Sequence, residues 1–167
     1  SIQESLDPGL DGTVTFCESA APLDLFTLLG GTPDLGGTWS PSLTSGTGLF
    51  NPSIDGSGTY TYTLAGTTVC PPVSATVTVI VDPLLNAGND TTVSFCSSET
   101  PTDLFTLITG NPEAGGVFTP ALASGSGVFD PLVDLAGVYT YTLTSTTTCP
   151  SDSSLITVII EESLDAG

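Results

Sequence analysis

Residues 58–64 read Gly-Thr-Tyr-Thr-Tyr-Thr-Leu. On an extended chain this puts Tyr60, Tyr62 and Leu64 on one side and Thr59, Thr61 and Thr63 on the other. Strict period two is the signature of a half-buried strand. The same alternation runs through Ser-Ala-Thr-Val-Thr-Val-Ile-Val at 74–81, with Val77 and Val79 inward, and through Thr-Val-Thr-Phe-Cys at 13–17, with Val14 and Phe16 inward. Shorter apolar runs at 24–29, at 37–41 around Trp39 and at 48–50 read as further strands, and Gly, Pro and Asp clusters punctuate all of them. No window carries a 3.6-residue period with a plausible cap. Several short alternating strands with turns between them predict an all-β fold, an Ig-like Greek-key β-sandwich.

The pattern then repeats. Shifting the 167-residue chain by 79 positions aligns it with itself without a gap, and 40 of the 79 pairs between 7–85 and 86–164 are identical. Cys17 falls on Cys96, Cys70 on Cys149, and GTYTYTL on GVYTYTL, while Trp39 is replaced by Phe118. The expected organisation is a tail of a preceding repeat at 1–6, repeat 1 at 7–85, repeat 2 at 86–164, and the start of a further repeat at 165–167. Such an array of nearest-neighbour units is expected to form an extended rod.

Composition narrows the function. The chain has no Lys, Arg or His and 18 acids, a formal charge of −18. Without cations to neutralise phosphates, nucleic-acid binding is excluded as a partner class, and so is attraction to anionic lipid. Ser-His-Asp and Cys-His chemistry lacks its base, and a lysine–asparagine crosslink cannot form. Paired carboxylates could in principle hydrolyse glycosides, but these acids are dispersed and recur in both repeats, so no enzyme is expected. The 39% hydrophobic content argues against disorder. No run of 18 apolar residues exists, so no direct membrane insertion is expected.

Four cysteines in two equal spacings of 53 suggest an oxidising compartment and two bridges inside the repeats, Cys17–Cys70 and Cys96–Cys149. Asp55 before Tyr60, and Asp134 before Tyr139, resemble the tyrosine corner of Greek-key sandwiches. An acidic phrase opens each repeat. Asp7, Asp11, Asp82, Asn86, Asp90, Glu161 and Asp165 offer the hard oxygens that Ca²⁺ takes, and they form a candidate calcium site at the repeat junctions. The competing reading of the same residues is a solvated acidic turn. No cofactor is otherwise required. Asn89-Asp90-Thr91 is a glycosylation sequon, and Thr91 follows an Asp in the manner of Asp-Thr-x sites of O-glycosylation in Bacteroidetes.

The phrases AGNDTTVSFC, DLFTLLGGTPDLGGTWSP, SGSGVFDP and GVYTYTLTSTTTCP resemble the tandem Ig-like or PKD-like repeats of giant Bacteroidetes cell-surface adhesins, of the gliding-motility type exported by the type IX secretion system. The resemblance spans nearly the full length of both repeats. It implies a structural stalk on the bacterial cell surface, part of a long extracellular filament serving attachment and gliding. Its implied partners are neighbouring repeats of the same chain, other filament chains and surface polysaccharide. The alternative is a glycan- or ligand-binding β-sandwich module of a secreted protein. Against that alternative, Trp39, Tyr60 and Tyr62 fall on inward positions rather than on an exposed platform.

Overall fold

The computed structural model describes residues 5–46, 49–68, 70–125 and 127–162. Asp165, the 165–167 segment, residues 1–4 and Gly48 of the 48–50 run lie outside the described residues. The chain forms two compact units, Ser1–Leu84 with Thr147–Cys149, and Leu85–Thr146 with Pro150–Gly167. The division falls one residue before the 85/86 boundary read from the repeat.

In the first unit, β1 (Gly12–Cys17), β2 (Thr38–Ser40), β3 (Gly58–Leu64) and β4 (Val73–Asp82) form one sheet in the order β1-β4-β3-β2. Strands β3 and β4 pair antiparallel, as do β2 and β3. Strand β1 completes the sheet parallel to β4, with Gly12 opposite Val77 and Cys17 opposite Asp82. The alternation does what the sequence predicts: Tyr60, Tyr62 and Leu64 are buried with Ala75, Val77 and Val79 on the same face.

What covers that face differs from the expectation. The 24–29 run is not a strand. Leu25–Leu28 is a single 3₁₀ turn, because Asp24 accepts a hydrogen bond from the Phe26 N–H at 2.9 Å and so caps a turn. Thr27 Oγ1 donates to the Asp24 carbonyl at 2.7 Å and tightens it. The 48–50 run contributes only an isolated bridge between Phe50 and Leu23, and a second bridge joins Leu10 to Gly30. Leu25, Leu29 and the fully buried Phe50 project from this irregular layer onto the sheet. Two layers around one apolar core are consistent with a β-sandwich.

The second unit repeats the plan. Strands β5 (Thr91–Cys96), β6 (Val117–Thr119), β7 (Gly137–Leu143) and β8 (Asp152–Glu161) form a sheet in the order β5-β8-β7-β6, with β5 parallel to β8. Its core holds Leu104, Phe129, Tyr139, Tyr141, Ile156 and Val158. Asp103 caps the 3₁₀ turn Leu104–Leu107 through the Phe105 N–H. No α-helix occurs among the described residues.

The register corrects the disulfides. Cys17 sits beside Asp82, at the C-terminal end of β4, whereas Cys70 precedes Val73 at its N-terminal end. Ten residues of strand separate those ends, roughly 30 Å at about 3.3 Å per residue. A disulfide tolerates less than about 7 Å between Cα atoms. The predicted Cys17–Cys70 bridge is therefore impossible, and the same register excludes Cys96–Cys149, because Cys96 lies beside Glu161 while Cys149 precedes Asp152. The observed bond is Cys17–Cys149, across 132 positions, and Cys70 and Cys96 are free thiols. Equal spacing was a misleading cue, since a strand running away from its loop carries the two sulfurs to opposite ends.

Candidate functional site

The disulfide is the centre of a small polar cluster in the first unit. Strand β1 delivers Cys17, and the adjoining end of β4 delivers Asp82. The Asp82 carboxylate accepts from the Thr148 N–H at 3.2 Å and from the Thr148 hydroxyl at 2.9 Å. The Asp82 carbonyl lies 3.3 Å from Cys149 Sγ. On the other side, Ser19 Oγ lies 3.3 Å from Cys17 Sγ. Both bonded cysteines are buried. Of the free thiols, Cys96 is exposed and Cys70 half-buried. Cys70 is set by a tight loop in which Thr67 N–H donates to the Cys70 carbonyl at 2.8 Å and the Thr67 hydroxyl accepts from the Cys70 N–H at 3.1 Å.

At the tyrosine-corner candidates each hydroxyl and each acid has backbone partners of its own. Tyr60 Oη donates to the Gly56 carbonyl at 2.8 Å, and Tyr139 Oη to the Leu135 carbonyl at 2.8 Å. Asp55 is 2% exposed and accepts from the Asn51 N–H at 2.8 Å and the Ser45 N–H at 3.0 Å. Asp134 does the same for Asp130 and Ser124. Burial by itself would raise these carboxyls, but the donated bonds together outweigh it and hold both below their ordinary value. Burial, then the nearby Asp55 charge, pushes the Tyr60 hydroxyl up; Asp134 adds to burial at Tyr139 in the same way.

A second tyrosine anchor escaped the sequence reading. Tyr62 Oη donates to the Asp34 carbonyl and accepts from the Gly37 N–H, both at 2.8 Å. A Cβ on Gly37 would stand 2.4 Å from the Tyr62 ring. Tyr141, Glu113 and Gly116 reproduce this arrangement. The signal was the Gly-Gly pair that precedes Trp39 and Phe118 at the same distance in each repeat.

Each described calcium-ligand candidate is engaged in hydrogen bonds of the fold. Asp7 accepts from the Gly9 N–H, Asp11 from the Thr76 N–H and Asp90 from the Leu155 N–H. Asn86 accepts from the Gly88 N–H and donates to the Gly110 and Asn111 carbonyls. Asp82 is held by Thr148, and Glu161 uses its backbone carbonyl to accept from Ser97. Asp7, Asp11 and Asp82 lie in the first unit, and Asn86, Asp90 and Glu161 in the second. Among the described residues no group of three or more His, Cys, Asp or Glu side chains could hold a metal ion. Asp7, Asp11, Asn86 and Asp90 thereby fix the segments that lead into β1 and β5.

At the glycosylation candidates, Asn89 is exposed and bridges to Thr109, while Thr91 is half-buried at the start of β5. A cleft of about 460 Å³ opens in the second unit among Asp103, Phe105, Gly116, Phe118, Leu122 and Tyr141. Its Asp103 carboxylate is already engaged by the Phe105 N–H. No helix among the described residues is long and apolar enough to cross a membrane. No family model matches the chain, and no curated protein matches it.

Proposed function

We propose that the chain is a structural spacer, two Ig-like repeats from the stalk of a long extracellular surface adhesin or filament that serves attachment and gliding. The observation that carries the reading is duplication. The buried aspartate, the corner tyrosine and the Gly-Gly-anchoring tyrosine recur in each unit with the same partners, and each spends its polar groups on its own backbone. Residues used twice in the same structural way suit a repeated building block better than a single reactive site. A buried disulfide suits an oxidising, extracellular setting. The charge of −18 suits a surface that resists lateral clumping.

A second reading, a glycan- or ligand-binding module, draws on the cleft beside Phe118. Phe118 and Phe105 both pack tilted against Tyr141, with centroids 5.1 and 5.3 Å away, and together line a cleft that an apolar group could enter. The two readings separate in one experiment. Immobilised chain is exposed to a panel of surface polysaccharides and smaller glycans. The spacer reading expects no retention above a bare surface. Retention that disappears in Phe118→Ala would replace it with the binding reading.

A further inference from the structure

The repeat gives each free cysteine a bonded counterpart. Cys96 occupies the position of Cys17, at the end of a strand parallel to the last strand of its sheet, and Cys70 occupies the position of Cys149, ahead of that last strand. Within this one chain the first kind of cysteine is bonded to the second kind, and the bond joins a strand-end cysteine of one repeat to the loop cysteine of the repeat that follows it. The register forbids either free thiol from pairing with the other cysteine of its own repeat. We infer that Cys96 and Cys70 are the two halves of the same bond, each made to a further copy of this repeat: Cys96 to the Cys70-type cysteine of a following copy, Cys70 to the Cys96-type cysteine of a preceding one. The result is a disulfide that steps from every repeat to the next.

The surroundings support the assignment. Cys96 is exposed, as a thiol awaiting a partner must be. Cys70 is followed by Pro71 and preceded by Thr67 and Thr68, as Cys149 is followed by Pro150 and preceded by Thr146 and Thr147. At Gly66 a Cβ would stand 2.5 Å from the Cys70 carbonyl, so the backbone at Gly66 and Cys70 is closely packed. Thr148, whose hydroxyl and N–H engage Asp82, is replaced by Val69, and Asp82 by Glu161. The Cys96–Cys70 bond therefore lacks the hydroxyl that holds the Cys17–Cys149 loop.

The chemistry is a simple thiol oxidation. Cys96 and Cys70 each lose a proton and together give two electrons to a small-molecule disulfide. The oxidant leaves as two thiols through a mixed-disulfide intermediate. No group is transferred.

The inference extends the spacer reading by naming the partner of its units, and a second copy of this chain serves as the probe. Pure chain with Cys17–Cys149 closed is incubated at high concentration with oxidised glutathione and resolved without reductant. The expected result is a ladder of dimers and longer species. Trypsin has no site in this chain, so the links are mapped after cleavage at Asp and Glu, and Cys70–Cys96 peptides should exceed the two like-with-like links combined by at least tenfold. Cys96→Ser and Cys70→Ser should each stop the ladder at the dimer or before it. Equal reactivity of all pairings, a Cys70–Cys96 bond within a monomer, or two thiols that stay reduced would each overturn the inference. Those outcomes leave the spacer reading intact, since repeats can follow one another through the peptide chain alone. Glycan retention would overturn the spacer reading whether or not the ladder forms.

Discussion

Asp55 is the residue whose loss should be felt most for its size. It is 2% exposed, and its carboxylate accepts two backbone N–H bonds, from Asn51 at 2.8 Å and Ser45 at 3.0 Å. Asp55→Asn keeps the shape but turns one acceptor into a donor, which must face a backbone N–H. One charge-assisted bond is lost and one buried donor is left unpaired, a cost of about 2 to 4 kcal/mol. A unit of this size has roughly 4 to 12 kcal/mol of stability in total, and each kcal/mol moves its midpoint by about 4 to 8 °C. The expected fall is roughly 10 to 30 °C. Trp39 is the only tryptophan and lies in the first unit, so its fluorescence reports that unit. Thermal melts of the variant followed at Trp39 should show the fall. The pH dependence has a definite sign. The folded carboxyl lies below its ordinary 3.8, so the ionised group stabilises the fold above that value. The contribution is lost as pH falls through the lower, folded value. Wild type and variant should therefore differ most near neutral pH and converge in acid below about pH 4. A variant that melts within 2 °C of wild type at pH 7, as about 0.5 kcal/mol or less would give, refutes the structural role of Asp55.

Other substitutions test the remaining parts. Phe50→Ala empties a fully buried site stacked on Phe16 and set edge-to-face with Tyr60; denaturant titration should show a loss of about 3 to 5 kcal/mol. Gly37→Ala drives a Cβ into the Tyr62 ring and should cost about 1 to 3 kcal/mol in the same assay. Tyr62→Phe, which removes both hydroxyl bonds without a clash, should cost about 1 to 2 kcal/mol. Calcium and magnesium at equal millimolar concentration should raise the melting temperature alike, by screening a chain of −18 charge. A rise specific to calcium would support Asp7, Asp11, Asp82, Asn86, Asp90 and Glu161 as ligands.

The strands were legible because period two survives on a one-sided sheet. Tyr60-Thr61-Tyr62-Thr63-Leu64 could be read directly, inward and outward faces included. The 24–29 run was not, because a short apolar run is shared by strands and turns. Asp24 carried the deciding signal, a side chain that caps the turn two residues on. Parallel pairing of the first and last strands was invisible as well, since it joins segments about sixty residues apart with no turn between them to announce it. That pairing decides the cysteines: once Cys17 stands beside Asp82, the loop cysteine of its own repeat is out of reach. The corner tyrosines were readable from Asp-to-Tyr spacing. The second anchor, Tyr62 on Gly37, needed the edge strand to be in place.

The parallel register requires the bond to run from one repeat to the next rather than inside each repeat. Pulling a single chain from its two ends distinguishes the two. With Cys17–Cys149 closed, the 132 positions between them are bypassed and 167 − 132 = 35 remain to extend, a full contour of about 120 Å at about 3.5 Å per residue. Reduction should lengthen that contour to about 580 Å. Bridges within each repeat, each spanning 53 positions, would leave 167 − 53 − 53 = 61 residues and about 210 Å. A contour near 120 Å before reduction is the predicted result, and one near 210 Å would contradict it.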